Sequence, residues 1–96
     1  MASSKAPVGH FSILYFAAAS TFTTKPSEHL AAPVEARNLF AVLEDRYPGI
    51  REKVLSSCAV TVNLAYIDLD GDDAADVDLV IREGDEVAII PPVSSG

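Results

Sequence analysis

The sequence predicts an α+β domain in which a mixed sheet packs on one main helix. Three observations predict it. Apolar runs of strand length that lack Gly and Pro lie near both ends of the chain, over His10–Ala17 and Glu86–Ile90. The segment from Pro33 to Tyr47 carries its apolar residues at helical spacing. The 96 residues, 49% of them hydrophobic, are enough for one core and too few for two.

Residues 1–9 contain no hydrophobic stretch of the secretory kind and read as a disordered lead. In the first strand, Phe11, Ile13 and Tyr15 fall on one face and Leu14 and Phe16 on the other. Both faces are apolar, which places the strand centrally. Ala17–Phe22 fits a helical turn, Thr23-Thr24-Lys25-Pro26 is turn chemistry, and Glu28–Ala32 fits a short edge strand. Pro33 is expected at the first position of the main helix, where its missing N–H is harmless. Ala36, Leu39, Phe40, Leu43 and Tyr47 then form one apolar stripe, and Pro48-Gly49 ends the helix. Ile50–Leu55 reads as a further short turn with Ile50 and Val54 on one side.

Cys58–Leu64 alternates cleanly, with Cys58, Val60, Val62 and Leu64 expected to face inward. Tyr66-Ile67 continues that strand or begins the next. Asp68–Asp76 is an acidic loop, Leu79-Val80-Ile81 a short apolar piece, and Arg82-Glu83-Gly84-Asp85 a turn. Glu86–Ile90 is the last strand, and Pro91-Pro92 stops its pairing because neither residue can donate to a ladder. The first and last long strands are the most apolar, so they are expected side by side in the middle of the sheet. The domain then covers residues 10–92, and residues 93–96 form a flexible tail.

Composition narrows the function. The net charge is −7, with 14 acidic residues against 7 basic ones, so nucleic acid is not an expected partner. An acidic surface suits a protein partner with a basic face, and it equally suits plain solubility. The single cysteine, Cys58, excludes an internal disulfide and fits a reducing compartment, with the cytoplasm as the default address. No segment reaches the roughly 20 apolar residues that a membrane span needs.

Conventional active sites are not visible. His10 and His29 lie in no nucleophile or metal motif. The acidic loop fails as a calcium loop: counted from Asp68, Gly71 is fourth and Leu79 twelfth, where an EF-hand needs glycine sixth and glutamate twelfth. Cys58, on an inward face, reads as a small hydrophobe. The tail remains, in which a well-patterned strand runs into Pro91-Pro92 and then small residues ending in Gly96. On spacing alone, ordinary terminal fraying accounts for it.

The residues themselves carry a resemblance. Gly84-Asp85-Glu86-Val87-Ala88-Ile89-Ile90-Pro91-Pro92-Val93-Ser94-Ser95-Gly96 closely resembles the C-terminus of molybdopterin synthase small subunits. Those end in a Gly-Asp-Glu-Val-Ala turn and strand, then Pro-Pro-Val or Pro-Pro-Ile, then a short tail closing in Gly-Gly. Ile13-Leu14-Tyr15-Phe16-Ala17 resembles that family's first strand, and Val60-Thr61-Val62-Asn63 its third. The match covers most of Phe11 to Gly96. The helix with Tyr47-Pro48-Gly49 resembles the eukaryotic, fungal branch, and the acidic loop to Asp78 is longer than in compact bacterial members.

The resemblance implies a ubiquitin-like β-grasp fold and a sulfur carrier in molybdenum cofactor biosynthesis. It implies no bound cofactor. An ATP-dependent E1-like enzyme would activate the Gly96 carboxylate as an AMP adduct and convert it to a thiocarboxylate. The tail would then enter the large catalytic subunit of a heterotetrameric synthase, with Phe16, Ile90, Pro91, Pro92, Val93, Ser94 and Ser95 as binding residues. This chain would supply the sulfur and none of the acid–base groups. Ser95 departs from the usual penultimate glycine. Other carriers share the fold and a glycine end, namely ubiquitin-related modifiers of tRNA thiolation and thiamine-pathway carriers, but Pro91-Pro92-Val93 favours the molybdopterin branch. A ubiquitin-like interaction module without sulfur chemistry is the reading of a different class.

Overall fold

The structure, a computed structural model, describes residues 6–67 and 78–91. Its elements run β1 (His10–Tyr15), α1 (Ala18–Thr23), β2 (Ser27–Ala31), β3 (Val34–Glu35), α2 (Leu39–Arg46), α3 (Ile50–Lys53), β4 (Ala59–Val62), β5 (Ala65–Tyr66), β6 (Val80–Ile81) and β7 (Glu86–Ile90). Five strands form one sheet in the order β2-β1-β7-β4-β5, and β3 and β6 form a second, two-stranded one. β1 and β7 run parallel, in register from Ser12↔Glu86 to Tyr15↔Ile89. The first and last strands are therefore neighbours, as their apolar character predicts, with β7 in the middle and β2 at an edge. One sheet grasping the main helix is the β-grasp arrangement.

Alternation decides which face is buried. Phe11, Ile13 and Tyr15 of β1 point inward, with Leu30 of β2, Val87 and Ile89 of β7, and Val60 and Val62 of β4. They meet Ala36, Leu39 and Leu43 of the predicted helical stripe, with Phe40 and Tyr47 packed against the cluster. Ile50 and Val54 are buried beside them. Fully burying a side chain of this size contributes about 1.5–3 kcal/mol, so the inner face dominates the stability.

Two expectations are corrected. Pro33 does not open the main helix: it follows a cis peptide bond with Ala32. Val34 and Glu35 pair with Ile81 and Val80, and Ala36 N donates to Leu79 O at 2.9 Å. Backbone groups held in a ladder cannot also serve a helix, so α2 starts at Leu39 after a 3₁₀ turn over Ala36–Asn38. Leu64 does not face inward: it is 86% exposed. Asn63 and Leu64 have φ of 52° and 73°, and a two-residue hairpin there returns the chain as β5, in register Val62↔Ala65. Tyr66 thus belongs to a new strand. Cys58 stands one residue before β4 and is partly buried against the core.

A polar cluster closes one side of the core. The Glu28 side chain, 8% exposed, lies on the inner face of edge strand β2. It accepts hydrogen bonds from Tyr15 Oη and Tyr47 Oη, each at 2.6 Å, from Arg46 Nη2 at 2.9 Å and from Lys25 Nζ at 3.2 Å. Burial by itself would raise the Glu28 pKa. The hydrogen bonds from Tyr15, Tyr47 and Lys25 and the charge of Arg46 outweigh it and hold the carboxyl below its ordinary range. The Tyr15 phenol is pushed far up, by burial first and then by its bond to the carboxylate.

Candidate functional site

Two of the three segments that carry the sequence resemblance, Val60-Thr61-Val62-Asn63 and the one that begins at Gly84, meet in space. Asn63 N donates to Glu86 O at 2.7 Å, and Glu86 N donates to Asn63 Oδ1 at 2.9 Å. Asn63 Nδ2 donates to Asp85 Oδ1 at 3.1 Å, while Asp85 Oδ2 accepts from Arg82 N at 2.8 Å. Gly84 has φ of 84°, a conformation that turns of this kind assign to glycine. Gly84-Asp85-Glu86 and the end of β4 are thus one hydrogen-bonded turn that starts β7 in register. Its chemistry is structural: it fixes where the other end of β7 emerges.

That other end holds the candidate site. Ile90 closes β7 and Pro91 follows, outside the ladder. Beside it, Phe16 leaves β1, donating its N–H to Ile89 O at 3.3 Å. Because the two strands are parallel, both finish at the same end of the sheet. The face turned away from the helices is lined in rows. Leu14 pairs with Ala88, Ala88 with Thr61, and Thr61 with Tyr66. A groove of about 230 Å³ runs over this face, walled by Leu14, Phe16, Leu64, Tyr66, Ala88 and Ile90, with Thr61 and Glu86 completing it. Phe16 is 46% exposed and Tyr66 71% exposed. Exposed large apolar side chains grouped around one groove mark a docking surface rather than a core.

The structure therefore brings together three of the sequence-predicted site residues, Phe16, Ile90 and Pro91, at one end of the sheet. Pro92, Val93, Ser94, Ser95 and Gly96 lie outside the described residues, as do residues 68–77 of the acidic loop. Sequence reasoning missed Leu64 and Tyr66. The signal for Tyr66 is the Asn63-Leu64 pair, where a two-residue turn restarts the alternation. It also missed Glu28, whose parity with Leu30 is the signal for an inward side chain.

Among the described residues, no group of three or more His, Cys, Asp or Glu could hold a metal ion. Nor is any helix there long and apolar enough to cross a membrane. Burial pushes the Cys58 thiol up, which disfavours the thiolate a nucleophile needs.

The chain matches the model of the ThiS family over residues 13–96. It is 75% identical to the molybdopterin synthase sulfur carrier subunit of Phaeosphaeria nodorum and 72% identical to that of Pyrenophora tritici-repentis, each over 100% of both chains. Among solved structures, it is similar to a putative molybdopterin converting factor subunit 1 from Pyrococcus furiosus, with a TM-score of 0.68, 22% identity, and 88% and 98% of the two chains covered. Its fold also resembles a chain of the complex of subunits 1 and 2 of the molybdopterin-converting factor from Helicobacter pylori, with a TM-score of 0.60, 18% identity, and 91% and 99% covered. Urm1 from Trypanosoma brucei, with a TM-score of 0.60, 19% identity, and 92% and 96% covered, shares the fold too. The likeness to these solved structures therefore shows the fold alone, whereas the full-length identity places the chain among the sulfur carrier subunits.

Proposed function

The chain belongs to the ThiS family, among its molybdopterin synthase sulfur carrier subunits, and from that membership we propose that the carboxylate of Gly96 is the group that carries the sulfur. A carboxylate is a poor acyl donor because its leaving group would be oxide. Attack of a Gly96 carboxylate oxygen on the α-phosphate of ATP, in the site of an E1-like activating enzyme, releases pyrophosphate and leaves an acyl adenylate. Hydrosulfide from a sulfur donor then attacks the acyl carbon, AMP leaves, and loss of the proton yields the thiocarboxylate. The loaded tail enters the large catalytic subunit of the synthase, the thiocarboxylate sulfur bonds to a carbon of a cyclic pyranopterin monophosphate, and water then cleaves the acyl C–S bond, leaving the sulfur on the pterin and returning the carboxylate. A dithiolene needs two sulfur atoms, which suits a heterotetramer with two carriers.

The observation that carries this reading is full-length identity of 75% to a sulfur carrier subunit. The groove supports it physically. Phe16 and Ile90 stand where the tail leaves the sheet, so a partner holding them also holds the tail's root. Proline narrows the directions in which the tail can leave, which lowers the entropy lost on insertion. A terminal glycine, lacking Cβ, lets a flat acyl group pass between close walls.

Intact-mass spectrometry tests it. The chain is incubated with ATP, the activating enzyme and a sulfur donor. The expected product is heavier by one oxygen-to-sulfur exchange, located at Gly96, and loses that increment when large subunit and precursor are added. A chain that never gains the increment is an interaction module. One that gains it but delivers sulfur only to a tRNA or thiamine pathway belongs to another branch of carriers.

A further inference from the structure

Leu64 is disfavoured in two independent ways. Its side chain is 86% exposed, and its φ of 73° lies in the left-handed region that leucine rarely adopts. It occupies the second central position of the β4–β5 hairpin, where both residues need positive φ and glycine is the usual choice. The first position is well suited. Asn63 tolerates the conformation, and its side chain bonds Asp85 and the N–H of Glu86. Leu64 has no comparable role within the chain: it lies outside the buried core and the residues packed against it. What it does is wall the groove, together with Tyr66, Phe16 and Ile90.

We infer that Leu64 is an anchor for the partner: with Tyr66 it forms the far wall of the groove and holds an apolar side chain presented by the large subunit of the synthase. The inference rests on the proposed function, which supplies that partner. Two observations select the large subunit. The groove includes Ile90, the last residue of β7 before the chain runs on toward the tail, so a protein that receives the tail lies beside it. Its walls are also mostly apolar, which suits a lasting subunit interface better than a brief encounter with an activating enzyme. Leucine at this hairpin position then acts on specificity, since a large subunit without a matching apolar group would leave it in water.

The test compares unsubstituted carrier with Leu64→Asn and Leu64→Gly. It measures the Kd for the large subunit by calorimetry and Tm by circular dichroism. Asparagine and glycine both accept positive φ, so Tm is expected to hold or to rise by up to about 4 °C. Kd is expected to weaken at least fivefold in both variants. Weakened binding at an unchanged or raised Tm is what a merely structural residue would not give. A loss of less than fivefold overturns the inference, as does unfolding of both variants, which would place Leu64 in the support of the fold. Unchanged large-subunit binding with a raised KM of the activating enzyme for the carrier overturns the choice of partner. Failure of the unsubstituted carrier to bind the large subunit would instead overturn the proposed function, and the inference with it.

Discussion

Tyr15 and Tyr47 meet edge to face, with ring centroids 6.3 Å apart and planes at 85°, and both hydroxyls donate to the same oxygen, Oε2, of Glu28. The contact ties β1 to the end of α2 and to edge strand β2. It also secures the residue that precedes Phe16, so the polar cluster and the groove share one strand.

Glu28 should therefore support the fold more than any one of its partners. Glu28→Ala leaves two phenols short of an acceptor and is expected to cost about 2–4 kcal/mol, against about 1–2 kcal/mol for Tyr47→Phe. Urea unfolding at pH 7 checks both. The pH dependence has a definite sign. The folded carboxyl is held below the ordinary glutamate value near 4.5. Its contribution is complete above that value and fades as pH falls through the lowered one. The stability gap between wild type and Glu28→Gln should accordingly shrink on acidification. A gap that stays constant from neutral to strongly acid solution would show that the charge contributes nothing.

Phe16 should matter to docking and little to folding, because its ring is 46% exposed on the groove. Phe16→Asp is expected to weaken large-subunit binding at least tenfold, about 1.4 kcal/mol, with Tm lowered by no more than a few degrees. Val93→Asp, next to the tail's root in sequence, should weaken it too. Analytical ultracentrifugation of the mixed subunits reads the loss. Binding at the wild-type level would remove these residues from the interface.

Deleting Gly96, or blocking its carboxylate as an amide, should abolish sulfur transfer at unchanged thermal stability. The assay is conversion of precursor in the complete system, with a melting curve on the same sample. Normal conversion by the shortened chain would end the assignment of the reacting group.

Ser95 should be tolerated. An extended tail with negative φ at this position accepts serine, whereas positive φ would cost roughly 1–2 kcal/mol. Ser95→Gly is expected to change the rate of a single turnover by less than about tenfold, or roughly 1.4 kcal/mol in the barrier, with each carrier loaded beforehand as thiocarboxylate. A much larger gain for the glycine variant would show that serine impairs the tail.

How far the sequence could be read depended on whether a feature is local. The grouping of Phe11, Ile13 and Tyr15 on one face of β1 follows from alternation within the strand, and the adjacency of β1 and β7 follows from their being the most apolar of the long strands. The start of α2 was misplaced because Pro33 suits a helix start and a strand approach equally, and only the distant partner Ile81 decides between them. Leu64 was misplaced because parity counting assumes that the strand continues, and leucine gives no warning of a positive φ. Phe16 and Ile90 were identified as site residues by resemblance. Their exposure on a common groove depends on the parallel register of β1 and β7, which no local pattern records. Glu28 was passed over because a glutamate in an edge strand ordinarily faces water, and its four donors come from three separate segments.

A ribosome makes β7 after every other strand, yet the sheet places it between β1 and β4. Before Glu86–Ile90 emerges, β1 has only β2 beside it and β4 only β5, and isolated two-stranded pairs of this kind are marginal in water. A chain cut short of Glu86 thus lacks the middle of its sheet rather than an edge, and its apolar strands stay open to proteases and to aggregation. Folding and completion of the tail's root happen together, so an unfinished carrier is material for degradation instead of a competitor for the partner.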